Sequence, residues 1–388
     1  MRSGISCRRF CFFIAAALTF SAAMPALAQT VPASAAAVAE YEQKLAIYNR
    51  EFGRFDAQAL AYWTSITEKR RTRNAKRRAK EQIFLEDYVL TQPPLYSGPP
   101  KPIDPSQATP PSTRRPIPVV ADFLRHAQEQ FDFVPQRPVS EILYKRTYAR
   151  IAAAAGLTKD QVVRIYSFES GGNGRYDVQA GLEYDRPNAR AISTALGYNQ
   201  LLNTNSVEVL AEQGDDFVKA LQKTAASMTG QEHQRMEGKI AILRRMIAFT
   251  RTVPDQWSEH EKLAQTPKGL GVHSVTLDID IGPHAQTQKL MTSVEFARMK
   301  GVKRVLSAAE LEMMNLTGDG TGFDMVTMPD EMRDKVPTSN FFQRGGYERN
   351  PVAIRNNTVR ALLAATDVKM DNESKLQGAR DMAEAYGQ

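Results

Sequence analysis

Prolines are concentrated at residues 92–119, a segment that a regular helix or sheet cannot readily span. Its prolines include three adjacent pairs, Pro93-Pro94, Pro99-Pro100 and Pro110-Pro111. Proline lacks a backbone N–H and fixes φ, so a segment of this kind favours an extended, semi-stiff spacer over a helix or a sheet. We therefore expect a Pro-rich linker at 92–119, preceded by a helical arm at 29–91 and followed by a globular domain at 120–388.

Residues 1–28 are typical of a secretory signal peptide. Arginines precede an apolar run from Phe10 to Phe20, and Ala26-Leu27-Ala28 is a small-x-small cleavage site. An uncleaved membrane anchor is the alternative, but the apolar run is short for a span. We expect an exported protein, periplasmic or secreted. Cleavage would also remove both cysteines, Cys7 and Cys11, and with them any disulfide or thiol chemistry.

The arm combines a helical pattern with a strongly basic stretch. Apolar residues recur every three or four positions as far as Trp63, and eight basic residues lie in Lys69–Lys80. Such a stretch binds nucleic acid in cytoplasmic proteins. In an exported chain, an anionic envelope polymer or lipid headgroups are the expected partners and nucleic acid is not. The alternative is a solvated helix that binds nothing.

Residues 120–388 have the pattern of a mainly α domain. The expected helices span residues 140–155, 159–170, 206–228, 231–251, 286–300, 307–316, 351–366 and 372–386. Two segments suggest β-structure. Residues 174–196 could form a small hairpin, and Val272–Ile281 alternates apolar and polar residues, which would place Asp278 and Asp280 on the solvated face of a strand.

One helix carries a carboxylate in an unusual position. Val162, Ile165, Tyr166 and Glu169 fall at i, i+3, i+4 and i+7 and therefore share one stripe of the helix. Burial and the negative end of the helix dipole both favour the protonated form of Glu169. A carboxyl that keeps its proton near neutral pH can act as a general acid. The structural alternative is a glutamate on the edge of the stripe that is hydrated or paired with an arginine.

Two short motifs give this helix a family resemblance. Glu169-Ser170 at a helix end, followed by Gly197-Tyr198-Asn199-Gln200, resembles the lytic transglycosylase and goose-type lysozyme family over roughly residues 140–215. In that family a Glu-Ser pair precedes a Gly-Leu-Met-Gln-type segment that lines the sugar groove. The resemblance implies a lysozyme-like helical fold, with Glu169 as the catalytic acid and base.

The resemblance also implies roles for the other motif residues. Ser170 would orient the carboxyl or the substrate, and Gly197 and Gln200 would contact the glycan. Tyr198 and Asn199 replace the family's usual Leu-Met pair and would make the groove wall more polar. Tyr347 is the nearest candidate for the family's later tyrosine.

The reaction that the resemblance implies is cleavage of peptidoglycan glycan strands without water. One carboxyl protonates the bridging oxygen and then accepts a proton from the muramyl C6 hydroxyl, which closes a 1,6-anhydro ring. Hydrolysis would need a second carboxylate, for which Asp177, Glu183 and Asp185 are available. The rival interpretations are a catalytically silent glycan-binding module and a structural envelope protein that assembles through its basic arm.

No cofactor or metal is expected. The five histidines lack the spacing of a zinc site. Thr317–Asp324 has some resemblance to a calcium loop but lacks the ligand pattern of an EF-hand, so we interpret it as a tight loop after a helix. The neighbouring Met313-Met314 pair has the spacing of core residues.

Overall fold

The computed structural model describes residues 34–106, 116–182 and 189–387. The expected signal peptide at 1–28 lies outside these residues. Contacts divide the described residues into two units, one of residues 34–52 with 98–106, and the other of residues 53–97 with 116–182 and 189–387.

The described part of the chain is mainly α, as its pattern predicted. It contains fifteen α-helices and no β-strand. The helices are α1 Ala35–Ala79, α2 Val120–Phe131, α3 Glu141–Ala155, α4 Lys159–Ser170, α5 Asn203–Ala225, α6 Gly230–Thr250, α7 Trp257–Ala264, α8 Pro267–His273, α9 Gly282–Met299, α10 Ala308–Thr317, α11 Asp319–Val326, α12 Arg344–Glu348, α13 Pro351–Arg355, α14 Val359–Glu373 and α15 Gln377–Ala385. Within the described ranges, no helix is both long and apolar enough to cross a membrane.

The first unit combines the start of α1 with part of the proline-rich segment. Its helix residues stack Tyr48 on Phe52, with ring centroids 5.2 Å apart. Tyr41 and Ile47 line a cavity of about 710 Å³ together with prolines of the 99–105 segment. These prolines and the start of α1 therefore belong to the same unit.

The second unit includes residues that the sequence pattern assigned to the arm. Trp63 and Ile66 of α1 are buried, and the Trp63 ring lies 5.7 Å from the ring of Tyr347. Contacts thus group residues 53–97 with the C-terminal helices. Apolar residues at helical spacing give α1 a short buried face that includes Trp63 and Ile66, while most residues of the helix remain exposed.

The basic stretch of α1 contributes to the fold of the second unit. Arg73 is fully buried, and its Nε donates to Asp324 Oδ2 at 2.7 Å. Arg77 pairs with the other oxygen of the same carboxylate. Arg70 donates to two backbone carbonyls, and Lys76 Nζ lies 2.7 Å from Asp87 Oδ2. Much of the positive charge in Lys69–Lys80 is therefore neutralised or hydrogen-bonded within the fold.

The segment Val272–Ile281 is helical where its alternation predicted a strand. It contains the end of α8 and a 3₁₀ turn at Ser274–Leu277, and its apolar and polar residues are both buried. Asp278 lies in the core, where it accepts hydrogen bonds from Lys239 Nζ at 2.9 Å and from the Gln136 backbone N–H at 2.8 Å. The polar side chains of Val272–Ile281 have hydrogen-bond partners inside the protein. Their alternation with apolar residues therefore does not indicate the solvated face of a strand.

The expected β-hairpin and one helix also differ from the sequence pattern. The described residues of 174–196 make isolated bridges only, including Gln179 with Leu196. The helix expected at 351–366 is divided into α13 and α14. The Thr358 side chain accepts a hydrogen bond from the Ala361 N–H and so caps a new helix start.

We predict that Arg73→Met lowers the free energy of unfolding by about 3 kcal/mol, because it leaves the buried Asp324 carboxylate without one of its two arginines. Urea denaturation of the purified variant measures this effect. Arg71→Met is the control, since Arg71 is exposed on the same helix and should change stability by less than about 0.5 kcal/mol. Equal effects of the two substitutions would contradict a structural role for Arg73.

His273 should make stability dependent on pH. Its ring is fully buried, Nδ1 lies 2.8 Å from Ser206 Oγ, and Nε2 lies 2.9 Å from the Thr194 carbonyl oxygen. Burial lowers the pKa of His273 from 6.5 to about 4. Between these values the unfolded chain binds a proton that the folded chain excludes. The neutral ring therefore contributes fully to the free energy of unfolding above pH 6.5, and this contribution is lost as the pH falls.

We predict that the stability advantage of the wild type over His273→Gln shrinks by up to about 3 kcal/mol as the pH falls from neutral to about 4. Denaturant titrations of both proteins across this range measure the difference, which removes the contributions of other titrating groups. A difference that stays constant with pH would show that His273 keeps an ordinary pKa in the folded state.

Candidate functional site

Helix α4 places Glu169 in its last turn. The helix begins with the expected capping box, in which Thr158 Oγ1 accepts from the Gln161 N–H at 3.2 Å and Gln161 Oε1 accepts from the Thr158 N–H at 2.9 Å. Val162, Ile165 and Tyr166 are fully buried, which fixes the rotation of the helix. Glu169 is on the same stripe, so it faces inward at the point where the helix ends.

The chain leaves α4 by a close approach to α14. Gly171 and Gly172 both have positive φ, 65° and 69°. A Cβ atom at Gly172 would lie 2.3 Å from the carbonyl oxygen of Glu373, so this position requires glycine for both its conformation and its packing. The tight exit ends the helix directly after Glu169.

A cleft of about 760 Å³ lies beside Glu169. Its walls include Gln200 and residues of α5, α9, α10 and α14. Trp257 also lines the cleft and is about half exposed, with 45 % of its surface accessible. The cleft therefore offers a large aromatic surface together with polar and charged groups.

The Glu169 carboxyl is mostly withdrawn from water but has polar neighbours. Its side chain is 17 % exposed, Oε1 accepts a hydrogen bond from Asn315 Nδ2 at 2.9 Å, and Lys289 Nζ lies 3.8 Å from Oε1. Burial raises the pKa of Glu169, while the charges of Lys289 and Lys369 and the Asn315 hydrogen bond act in the opposite direction. Desolvation is the largest of these effects, so the pKa of Glu169 lies above the usual range of a glutamate.

Lys289 connects Glu169 to the turn that contains Gln200. Its ammonium group donates to the carbonyl oxygen of Asn199 and, at 3.2 Å, to that of Gln200. Gln200 has a left-handed φ of 46°, which is uncommon for a residue with a side chain. Its side-chain amide donates to the Gly197 carbonyl at 2.8 Å. The turn and Lys289 thus hold Gln200 at the cleft in a restrained conformation.

Tyr198 and Asn199 lie in the core and do not form the polar groove wall that the resemblance implied. Tyr198 is fully buried, packs edge-to-face on Tyr166 with centroids 4.9 Å apart, and donates its hydroxyl proton to Glu141. The Asn199 amide donates to the Tyr148 hydroxyl at 2.8 Å. Their polar atoms point into an aromatic core and so fix the turn from behind.

Ser170, Gly197 and Tyr347 also lie away from the cleft surface. Ser170 Oγ donates to the Tyr166 carbonyl of its own helix at 2.6 Å. A Cβ atom at Gly197 would meet the side-chain amide of Gln286 at 2.2 Å, so this glycine is packed against α9. Tyr347 is buried against Trp63 and Phe342. Of the residues that the motifs proposed for the site, the cleft surface brings together Glu169 and Gln200.

The acids proposed as a second carboxylate do not line the cleft in the described part of the chain. Asp177 is buried and pairs with Arg137, with Oδ2 2.5 Å from Nη2. Glu183 and Asp185 lie outside the described residues. Asp177 therefore has a structural ion pair in place of the expected solvated loop position.

Besides Glu169, the cleft contains three carboxyls that the sequence patterns did not assign to it: Glu208, Glu312 and Asp319. Glu312 is 1 % exposed, its Oε2 has no hydrogen-bond partner, and burial together with the charge of Glu169 raises its pKa well above the usual value. Glu208 also lines the cleft, and burial and the nearby Glu212 raise its pKa to about 7. A signal for Glu312 existed, because it interrupts the apolar run from Leu311 to Met314, whose methionines are core residues as expected.

The site has the groups for proton transfer and none arranged for a metal ion. Among residues 34–106, 116–182 and 189–387, no group of three or more His, Asp or Glu side chains could hold a metal. The segment that resembled a calcium loop is helical, with Gly318 joining α10 to α11. Asp319 accepts a hydrogen bond from Ser293 at 2.5 Å.

We predict that Lys289→Met raises the pKa of Glu169 more than Lys369→Met does, because Lys289 makes the larger electrostatic contribution and is the more buried of the two cations. Carboxyl ¹³C NMR titration of glutamate-labelled protein measures this pKa, with Glu169→Gln to assign the signal. Equal shifts, or a fall in the Lys289 variant, would contradict the proposed balance of burial and charge.

Comparisons with protein-family models, with curated proteins and with solved structures found no match. Support for the family resemblance is therefore limited to the motif residues and to the cleft that lies beside Glu169.

Proposed function

We propose that this chain is an exported enzyme with a lysozyme-like helical domain that cleaves the glycan strands of peptidoglycan, using Glu169 as general acid and base. One observation carries the proposal. Glu169 is largely withdrawn from water, has a raised pKa, and borders a cleft of about 760 Å³ that also contains Gln200. This arrangement supplies an acidic proton beside a space that can hold several sugar rings.

In the first step, the proton moves from Glu169 to the bridging glycosidic oxygen as the bond from C1 to that oxygen breaks. The reaction leaves a negative charge on Glu169. Lys289, at 3.8 Å, and the Asn315 amide, at 2.9 Å, are already in place to stabilise that charge. The same two groups limit how far burial can raise the pKa, so the carboxyl can release its proton.

In the second step, the Glu169 carboxylate accepts a proton from the hydroxyl group that attacks C1. In a lytic transglycosylase this hydroxyl is the muramyl C6–OH, and its attack produces a 1,6-anhydro end and restores protonated Glu169. We favour a mechanism with one working carboxylate, since Asp177 does not line the cleft and burial raises the pKa of the other cleft carboxyls, Glu208, Glu312 and Asp319.

The remaining cleft surface suits a carbohydrate. The exposed face of Trp257 can stack on a sugar ring, and Asn205, Thr292 and Ser293 supply amide and hydroxyl groups nearby. In an exported protein, the exposed basic residues of α1 would contact an anionic envelope polymer or lipid headgroups. Arg71, Arg78 and Lys80 are exposed within the basic stretch.

We predict that Glu169→Gln lowers the cleavage of purified sacculi by about 10²- to 10⁴-fold, the usual contribution of a general acid. Mass spectrometry of the digest should show 1,6-anhydromuropeptides with the wild type and none with the variant. Ser170→Ala is the matched control. It should retain near wild-type activity, because Ser170 bonds to its own helix.

Activity should also fall as the pH rises through the elevated pKa of Glu169, since the protonated carboxyl is the active form. A rate that stays flat across the neutral range would contradict this role. Binding of glycan without products would instead support a catalytically silent glycan-binding module. Indifference to glycan, together with self-association through the basic helix, would support a structural envelope protein.

A further inference from the structure

Glu312 is a second carboxyl group at the back of the same cleft, and the mechanism above does not use it. It lies on α10, three residues before Asn315, so the two side chains share one face of the helix. Asn315 donates to Glu169 Oε1 at 2.9 Å, which places this face of α10 against the end of α4. Glu312 therefore lies on the face of α10 that meets the end of α4, and both carboxyl groups border the same cleft.

The burial of Glu312 makes an ionised state costly. Its side chain is 1 % exposed, and Oε2 has no hydrogen-bond partner in the described structure. An unpaired carboxylate oxygen in such a position would carry the full cost of desolvation. In the neutral acid, one oxygen becomes an O–H donor, and a neighbouring carboxylate is the acceptor that would satisfy it.

Each helix that packs against α10 contributes at least one charged group to the surroundings of Glu312. Glu169 is contributed by α4, Lys289 by α9 and Lys369 by α14. From α11, Asp319 is hydrogen-bonded to Ser293, and Asp324 is paired with Arg73 and Arg77. A second negative charge beside Glu169 would be opposed by burial and repulsion, while Lys289, Lys369 and the Asn315 amide act in its favour, and burial is the largest of these effects.

We propose that Glu312 is a positioning residue that stays protonated and donates its O–H to the Glu169 carboxylate formed during the reaction. This inference extends the proposed function, since it assigns a partner to the group that carries it. No proton is lost or gained by Glu312. Glu169 gives its proton to the glycosidic oxygen and later recovers one from the attacking hydroxyl, while Glu312 supplies a hydrogen bond only to the ionised form.

Two substitutions at Glu312 separate this role from its alternatives. Glu312→Gln keeps a neutral side chain with an N–H donor, whereas Glu312→Met has similar size and no donor. We expect Glu312→Gln to change the pKa of Glu169 little and to retain most of the cleavage activity. We expect Glu312→Met to raise the pKa of Glu169 by about one unit, since the carboxylate loses a donor, and to lower cleavage about tenfold.

Carboxyl ¹³C NMR titration measures the pKa of Glu169 in both variants without any substrate. A fall of this pKa in Glu312→Met, with a loss of activity in Glu312→Gln as large as that in Glu169→Gln, would show that Glu312 works as an ionised second carboxylate and would overturn the proposal. An unchanged pKa in both variants would assign Glu312 to packing alone and would overturn it as well.

The two readouts also distinguish failure of this inference from failure of the proposed function. If the wild type does not cleave sacculi, the enzyme proposal fails, but the pKa titration still reports whether Glu312 donates to Glu169. If the wild type cleaves and the pKa of Glu169 does not rise in Glu312→Met, only the role of Glu312 fails.

Discussion

At Glu169, burial and positive charge act against each other on one carboxyl group. Burial at the end of α4 raises its pKa, while Lys289 and the Asn315 amide stabilise the ionised form. A general acid needs both effects, since it must hold a proton and then release it. The balance is set by four helices, α4, α9, α10 and α14, which contributes Lys369, so the chemistry proposed for the cleft depends on how these helices pack.

Lys289 has the most connections in this arrangement. It is close to Glu169 and also binds the carbonyl oxygens of Asn199 and Gln200. One ammonium group thereby links the acid to the turn that contains Gln200. The core side chains Tyr198 and Asn199 hold the same turn from behind, which explains how residues of a groove motif can matter without facing the groove.

The same physical rule governs the charges elsewhere in the second unit. Arg73 and Lys239 are buried, and each is paired with a carboxylate, Asp324 and Asp278 respectively. Burying a charge is tolerated when a partner neutralises it and hydrogen bonds satisfy it. The basic stretch of α1 thus has a structural use, and only part of it remains on the surface for an anionic partner.

Local patterns in the sequence predicted several elements well. The Thr158–Gln161 capping box and the apolar stripe of α4 were both found as expected, because caps and helical periodicity depend on residues close together in the chain. The sequence also identified Glu169 as a carboxylate on an apolar face. Patterns whose structure depends on residues far away in the chain led to wrong predictions. Asp278 alternates like a residue of a solvated strand, yet Lys239 and backbone N–H groups satisfy it in the core.

Local patterns in the chain were sufficient to predict the mainly helical class, the position of α4 and the unusual setting of Glu169. The tertiary structure decided which residues surround that carboxyl, including Lys289, Asn315 and Glu312, all more than a hundred positions away in the chain. It also placed Tyr347 in the core and Gln200 at the cleft. The reason is that helical periodicity specifies which side of a helix is buried, whereas long-range packing alone specifies what that side meets.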